Sequence, residues 1–275
     1  STIDEGHNHG GGIFNSSSNS IISGVEFSNN YASGTGGAIS DGNSMLIHNC
    51  SFGNNVSGYE GDALSCAGTK IYNCTIVYNG TQDGECVIKA NWNTKIESSI
   101  IWHNENPQIF NYKPISVDYS IIYGGQSSFS DQGNLNWGTG NITSDPLFTG
   151  SGGFESQSPA INAGNPNGFY NDSDGTRDNI GMSHDGTHRI LVTPTNFDFG
   201  NSGVGDALSK DWMIYNFGEN ELIIDSYSSS DNQFTIPTPS FPYTIDPFDN
   251  TGSDNLRVQF ISTSTGQQSA SIQIA

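Results

Sequence analysis

Gly36-Gly37-Ala38-Ile39-Ser40-Asp41-Gly42-Asn43-Ser44-Met45-Leu46-Ile47-His48-Asn49-Cys50-Ser51-Phe52-Gly53-Asn54-Asn55 decides the fold, because both of its ends recur along the chain. The first end is preceded by Gly11-Gly12-Ile13-Phe14 and followed by Gly61-Asp62-Ala63-Leu64, Gly84-Glu85-Cys86-Val87 and, more faintly, Pro107-Gln108-Ile109-Phe110, at steps of 25, 25, 23 and 23 residues. The second end is answered by Val25-Glu26-Phe27-Ser28-Asn29-Asn30, Cys74-Thr75-Ile76-Val77-Tyr78-Asn79 and Ser99-Ile100-Ile101-Trp102-His103-Asn104. A period in this range marks a repeat architecture. Each repeat holds at least two short strands, and the alternation Val25, Phe27 or Cys50, Phe52 puts one apolar side chain in two on the same face. Strands this short and polar make no hairpin core, so stacking is the way to bury that face. The pattern predicts a solenoid in which each coil pairs with its neighbours as parallel strands. Asn30, Asn55, Asn79 and Asn104 end the second strand, where Asn tolerates left-handed geometry and can pass an amide hydrogen bond to the next coil. Residues 1 to about 125 read as roughly five coils.

Working outward, 275 residues are enough for two domains and a self-sufficient core. Gly is present in 34 copies and only 13% of residues are charged, the composition of a turn-rich all-β protein. Eight Lys and Arg against 28 Asp and Glu give a net charge of −20, which excludes nucleic acid as a partner because a phosphate backbone would go unneutralised. No apolar run approaches the roughly 18 residues of a membrane helix, so membrane insertion is not expected. The acidic, Lys-poor, Asn/Ser/Thr-rich composition suits an extracellular or cell-surface location.

After residue 189 the Gly doublets stop and alternating β pattern begins at Ile190-Leu191-Val192-Thr193-Pro194. Asn196-Phe197-Asp198-Phe199-Gly200, Trp212-Met213-Ile214-Tyr215-Asn216, Leu222-Ile223-Ile224 and Leu256-Arg257-Val258-Gln259-Phe260 follow at the spacing of strands in a sandwich. The expected organisation is a parallel β-helix with a terminal capping segment over 1–189 and a β-sandwich over 190–275.

The G-G-x-I/F and x-V/C-x-F/I-x-N-N lines resemble the right-handed parallel β-helix proteins of bacterial surfaces, the broad superfamily that includes pectate-lyase-like enzymes. Asp145-Pro146-Leu147-Phe148, Ser158-Pro159-Ala160-Ile161-Asn162-Ala163-Gly164 and Asp172-Ser173-Asp174-Gly175-Thr176-Arg177-Asp178-Asn179-Ile180-Gly181 are similar to the terminal segment of such helices. Residues 190–275 resemble immunoglobulin-like modules of the ASPM and Hydin type. That resemblance implies one more strand after Ala270-Ser271-Ile272-Gln273-Ile274-Ala275. Separately, Gly11-Gly12 opens an internal coil with no polar or helical cap ahead of it, and an uncapped stack exposes an unpaired edge. Either the sequence is part of a longer chain, or copies of the protein join head to tail through open β edges into a filament.

The function these features predict is a structural or adhesive surface protein, with a polysaccharide-binding or polysaccharide-cleaving protein as the alternative. For cleavage, Glu60 with Asp62 and Asp83 with Glu85 fall at equivalent corners of successive coils, a spacing at which one carboxylate raises its neighbour's pKa and makes a general acid. A solvated acidic edge is the simpler reading, since no nucleophile accompanies them. Asp172, Asp174 and Asp178 crowd a short Gly-containing loop, the oxygen-rich pattern of a Ca²⁺ site, although the bidentate Glu of an EF-hand is missing. Alternatively these carboxylates cap turns and pair with Arg177, and the protein has no cofactor. Tyr72, Tyr78, Trp92, Trp102, Tyr112, Tyr119 and Tyr123 fall within the coils. Tyr78 and Trp102 follow equivalent strands and predict an outward row for a glycan or for a subunit contact. Cys50 and Cys74 share a ladder position and read as a buried column, while Cys66 and Cys86, near corners of adjoining turns, are the disulfide candidates.

Overall fold

The computed structural model describes residues 8–81, 85–105, 109–150, 152–167, 171–172, 175–182, 190–193, 197–216, 221–246 and 253–275. The chain divides into two compact units, Ser1–Thr187 and His188–Ala275. It is all-β apart from two short 3-10 turns among the described residues, Gly125–Ser128 and Gln132–Asn134. No helix among them is long and apolar enough to cross a membrane.

The first unit is a parallel β-solenoid of about five turns built on three stacked sheets, with a fourth short parallel pair, Tyr31–Ala32 and Val56–Ser57, in the first two coils. Its first sheet stacks Ile13–Asn15, Ile39–Asp41, Leu64–Cys66, Ile88–Ala90 and Ile109–Asn111. The second stacks Ser20–Ser23, Met45–His48, Lys70–Tyr72, Thr94–Glu97, Ile115–Asp118 and Leu135–Trp137. The third stacks Glu26–Ser28, Ser51–Gly53, Thr75–Val77, Ile100–Trp102 and Ile121–Ile122. Every one of these pairings is parallel. Inward positions form one continuous core in which Phe27, Phe52, Ile76, Ile101 and Ile122 follow one another up the third sheet. Phe27 and Phe52 stack with ring centroids 5.0 Å apart, as in-register repetition of one aromatic on parallel strands dictates.

The second of the two repeating lines carries the observed register, because Phe27 faces Phe52 and Ile76 faces Ile101. The glycine line slips. Ile39 pairs with Ile13 rather than Phe14, and Ile88 rather than Val87 pairs with Leu64. One residue of slip turns a side chain to the other face, so Phe14 points outward and is exposed. The extra residue is absorbed where the N–H groups of Gly12 and Ile13 both donate to the Ala38 carbonyl.

Corners explain the Asn-rich texture. Asn29, Asn54, Tyr78 and His103 occupy one left-handed position on successive turns, one residue before the Asn column. The Asn column itself is a buried amide ladder: Asn55 Nδ2 donates to Asn79 Oδ1 at 2.9 Å, and Asn79 Nδ2 donates to Asn104 Oδ1 at 3.0 Å. Each amide also donates to a strand carbonyl, Asn79 to Phe52 O at 2.9 Å and Asn104 to Ile76 O at 2.7 Å. The corner amides thus pair both along the ladder and with the strand carbonyls below them.

The segment expected to cap the end instead runs back over the outside of the third sheet. Ala160 and Ile180 pack on Ile100, Trp102 and Ile121, with Val77, Ile142, Phe148 and Phe154 around them. The consecutive apolar pairs Ile100-Ile101 and Ile121-Ile122 are thus buried on both faces, one residue in the core and the next under this strap. Polar contacts seat the strap: Asn73 Nδ2 donates to Asp178 Oδ2 at 2.7 Å, Met182 N–H to Thr75 Oγ1 at 2.9 Å, and Gly181 N–H to Ser98 O at 2.8 Å.

In the second unit Ile190–Thr193, Ala207–Asn216, Ser253–Ile261 and Phe234–Thr238 form a four-stranded antiparallel sheet in that order. Leu222–Ile224 pairs with Tyr243–Ile245, and Tyr227–Ser229 with Ile272–Ile274. Phe234 stacks on Phe260 at 4.5 Å, with Phe199 beside both.

Candidate functional site

Outward positions of the first sheet line up in register as Phe14, Ser40, Ser65, Lys89 and Phe110. The strand alternation that sends Ile88 and Ala90 into the core sends Lys89 out. Its ammonium pairs with the Glu60 carboxylate, which reaches over the sheet from the corner two coils away in sequence order from Tyr112. The Tyr112 hydroxyl donates to Glu60 Oε1 at 2.5 Å, and Lys89 Nζ sits 5.9 Å from the Tyr112 ring centroid. Phe110 meets the Tyr112 ring edge-on at 6.1 Å. Trp92, 62% exposed, stands on the adjoining corner with Lys113 Nζ 5.9 Å from its ring centroid. The result is an exposed aromatic surface built around a carboxylate, an ammonium and a phenol already bonded to one another.

Electrostatics fix the charge state of this group. Burial pushes the Glu60 carboxyl upward, but hydrogen bonds from Lys89 and Tyr112 and the Lys89 charge outweigh it and hold the pKa below its ordinary value. The same bond, made to an ionised acceptor, pushes the Tyr112 phenol up to about 12. Glu60 is therefore a carboxylate at neutral pH and has no proton to give.

Asp62 does not join it. Its Oδ1 accepts from Ser57 N–H at 2.9 Å and from the Ser57 hydroxyl at 3.2 Å, buried at the corner. Burial raises its pKa, with the Glu105 charge adding to the rise. Glu85 is exposed, and Asp83 lies outside the described residues. Glu60 and Asp62 thus have separate surroundings and pKa values shifted in opposite directions.

The predicted row of Tyr78 and Trp102 is corrected by register. Trp102 pairs with Val77, is 5% exposed, and belongs to the core beneath the strap. Tyr78 pairs its N–H with His103 O and lies 5.7 Å from the His103 ring. Tyr78, His103 and Tyr123 are the outward members of this corner, Tyr123 meeting Trp102 edge-on at 5.0 Å.

Of the proposed Ca²⁺ ligands, Asp174 lies outside the described residues. Asp172 Oδ2 accepts from Asn179 Nδ2 at 3.0 Å, whereas Asp178 is buried and turned to Asn73 of the solenoid. Arg177 donates to the Gly164 and Ala163 carbonyls and stacks 5.5 Å from the Tyr119 ring centroid. Among the described residues no group of three His, Cys, Asp or Glu is placed to hold a metal ion.

All four cysteines are free and buried, which corrects the Cys66–Cys86 pairing. Leu64 faces Ile88, so Cys86 falls opposite Asp62 and Cys66 opposite Ala90. Four residues of extended chain, roughly 13 Å, separate the two levels, beyond the roughly 4.4–6.8 Å that a disulfide spans between Cα atoms. Burial pushes both thiols up to about 12. Cys50 and Cys74 do share a buried column within the hydrophobic core, and Ser99 and Ser120 continue it. Each donates to the carbonyl two residues earlier, Cys50 to His48 and Cys74 to Tyr72 at 3.2 Å, Ser99 to Glu97 and Ser120 to Asp118 at 2.8 Å.

Lys89 and Phe110 were not legible as surface residues, because the fainter repeat line set Phe110 in the core phase. The signal that finds them is the Ile-Lys-Ala and Ile-Phe-Asn alternation itself. Fold and surface together define a parallel β-solenoid protein with an aromatic, internally ion-paired outer face. No family model, curated protein or solved structure matches the chain.

Proposed function

We propose that the chain is an extracellular, non-catalytic adhesive protein whose solenoid binds polysaccharide on the outer face of the first sheet. In the same reading the solenoid is right-handed and the second unit is an immunoglobulin-like sandwich. The observation that carries it is the grouping of Phe110 and Tyr112 at the Glu60–Lys89 pair, with the exposed Trp92 beside Lys113 on the adjoining corner. Aromatic faces stack on the C–H faces of pyranose rings, and a fixed carboxylate and ammonium beside them offer an acceptor and a donor to sugar hydroxyls. Binding is favoured over cleavage because Glu60 is held ionised and bonded, with no proton for a leaving oxygen. Assembly through the edge strand Phe234–Thr238 draws no support, since Pro237 removes a donor from that edge.

Affinity electrophoresis through gels containing neutral or acidic polysaccharides tests the reading. Retardation by a neutral polysaccharide is expected, with Trp92→Ala and Tyr112→Ala each weakening it about fivefold, the equivalent of about 1 kcal/mol. Retardation unchanged in the double variant overturns the site. Release of reducing ends that disappears in Glu60→Gln would replace binding with cleavage.

A further inference from the structure

Lys95 and Glu97 lie two residues apart on the second-sheet strand Thr94–Glu97, both turned outward while Ile96 enters the core. Glu97, 3% exposed, has one oxygen on each of two nitrogens. Its Oε2 is 2.5 Å from Lys95 Nζ, and its Oε1 accepts from Asn165 Nδ2 at 2.5 Å. Asn165 comes from the strap, is buried, and is pinned by its own N–H to Ser98 Oγ at 3.0 Å. The orientation of its amide is fixed from the other side, because Asn165 Oδ1 accepts from Asn167 N–H at 2.9 Å. The Tyr72 ring walls the group, 5.4 Å from Lys95 Nζ. An amine, a buried carboxylate touching it, and a carboxamide with a donor on its oxygen are the parts that amide transfer requires.

We propose that Lys95 and Asn165 join as an intramolecular isopeptide bond, with Glu97 as the catalytic proton carrier. A proton passes from the Lys95 ammonium to Glu97 Oε2, and the freed Nζ electron pair attacks Asn165 Cγ. The new Nζ–Cγ bond places negative charge on Oδ1, where the Asn167 N–H receives it. The Cγ–Nδ2 bond breaks as Glu97 delivers its proton to Nδ2, and the second Nζ proton passes to the departing ammonia, which leaves as ammonium. Lysine ammonium and asparagine carboxamide become a secondary amide and an ammonium ion, so atoms and charge balance with no oxidant or cofactor. Burial opposes the Lys95 ammonium, but the neighbouring Tyr72 and Glu97 hold its pKa above the ordinary value, so attack begins only once a proton has passed to Glu97. The product ties the strap covalently to the fourth coil, a use suited to a protein loaded at a surface.

Intact-mass measurement on the denatured full chain tests this. The expected mass is below that of the sequence by one ammonia, and proteolysis should yield one branched peptide joining Lys95 to Asn165. Lys95→Arg and Glu97→Gln should each restore the full sequence mass with the far-ultraviolet spectrum of the solenoid retained. A wild-type chain at full sequence mass overturns the proposal. So does an ammonia loss that persists in Lys95→Arg, which would mark succinimide formation at an Asn-Gly pair such as Asn79-Gly80. Should a variant misfold, the branched peptide in the wild-type digest still decides.

Discussion

Glu60 and Asp62 are two positions apart and titrate in opposite directions, because one carboxylate meets a cation and the other meets mainly burial. For Glu60 the folded pKa is lowered, so its contribution to stability is present above the ordinary value of 4.5 and is lost as pH falls through the folded value. For Asp62 the folded pKa is raised, so its contribution is full below the ordinary value of 3.8 and is lost as pH rises through the folded value. Asp62→Asn keeps an oxygen acceptor for Ser57 and removes the buried charge. Its melting temperature should exceed that of wild type at pH 7, and the gain should vanish near pH 3; a gain equal at both pH values would mean that charge is not the cause. At the left-handed corner, Tyr78 and His103 occupy a conformation that their neighbours Asn29 and Asn54 adopt more readily. His103→Asn should therefore stabilise the solenoid by up to about 1 kcal/mol in urea unfolding, net of the lost ring contact.

Among elements, the amide ladder and the strap hold the coils in different ways. Asn79 sits mid-ladder: its Oδ1 accepts from the Asn55 N–H and amide, and its Nδ2 donates to Phe52 O and Asn104 Oδ1. Asn79→Ala strands several buried groups at once and should cost about 3 kcal/mol, against about 1 kcal/mol for Asn30→Ala at the half-buried outer rung. Equal costs in urea unfolding would show that the rungs act singly. Trp102→Ala should cost roughly 3–5 kcal/mol and loosen the strap, seen as faster proteolysis between residues 142 and 182 while the parallel strands persist. The ladder was legible in the sequence because identical residues recur at each coil in the phase of Phe27, Phe52, Ile76 and Ile101. The strap's placement was not, since Asn165 meets Glu97 and Asp178 meets Asn73 across 68 and 105 residues with no periodicity to announce it. Its trace was local only: Ile100-Ile101-Trp102 and Ile121-Ile122-Tyr123 are apolar on both faces, which calls for cover outside as well as a core within. The first-sheet register was lost for a related reason, as glycines mark a corner without stating how many residues the bulge beside it absorbs.

At the scale of the molecule, charge sets which glycan the proposed binding face would accept. The chain carries eight Lys and Arg against 28 Asp and Glu, and the solenoid's Lys70, Lys89, Lys95 and Lys113 all belong to its third to fifth coils. Two of those lysines are already matched, Lys89 by Glu60 and Lys95 by Glu97, so the patch offers local dipoles rather than a net positive field. A polyanion approaching it meets the repulsion of a −20 chain, whereas a neutral polymer meets ring faces and short-range hydrogen bonds that salt barely screens. Raising ionic strength from about 0.02 to about 0.5 M, over which the Debye length falls to a few ångströms, should leave binding of a neutral polysaccharide within twofold. The same change should strengthen whatever weak binding an acidic polysaccharide shows, the reverse of the salt response of a basic site that works by counterion release. Acidic-polymer binding that weakens steeply with salt would instead place Lys70 and Lys113 at the centre of recognition, and Lys113→Gln would then abolish it.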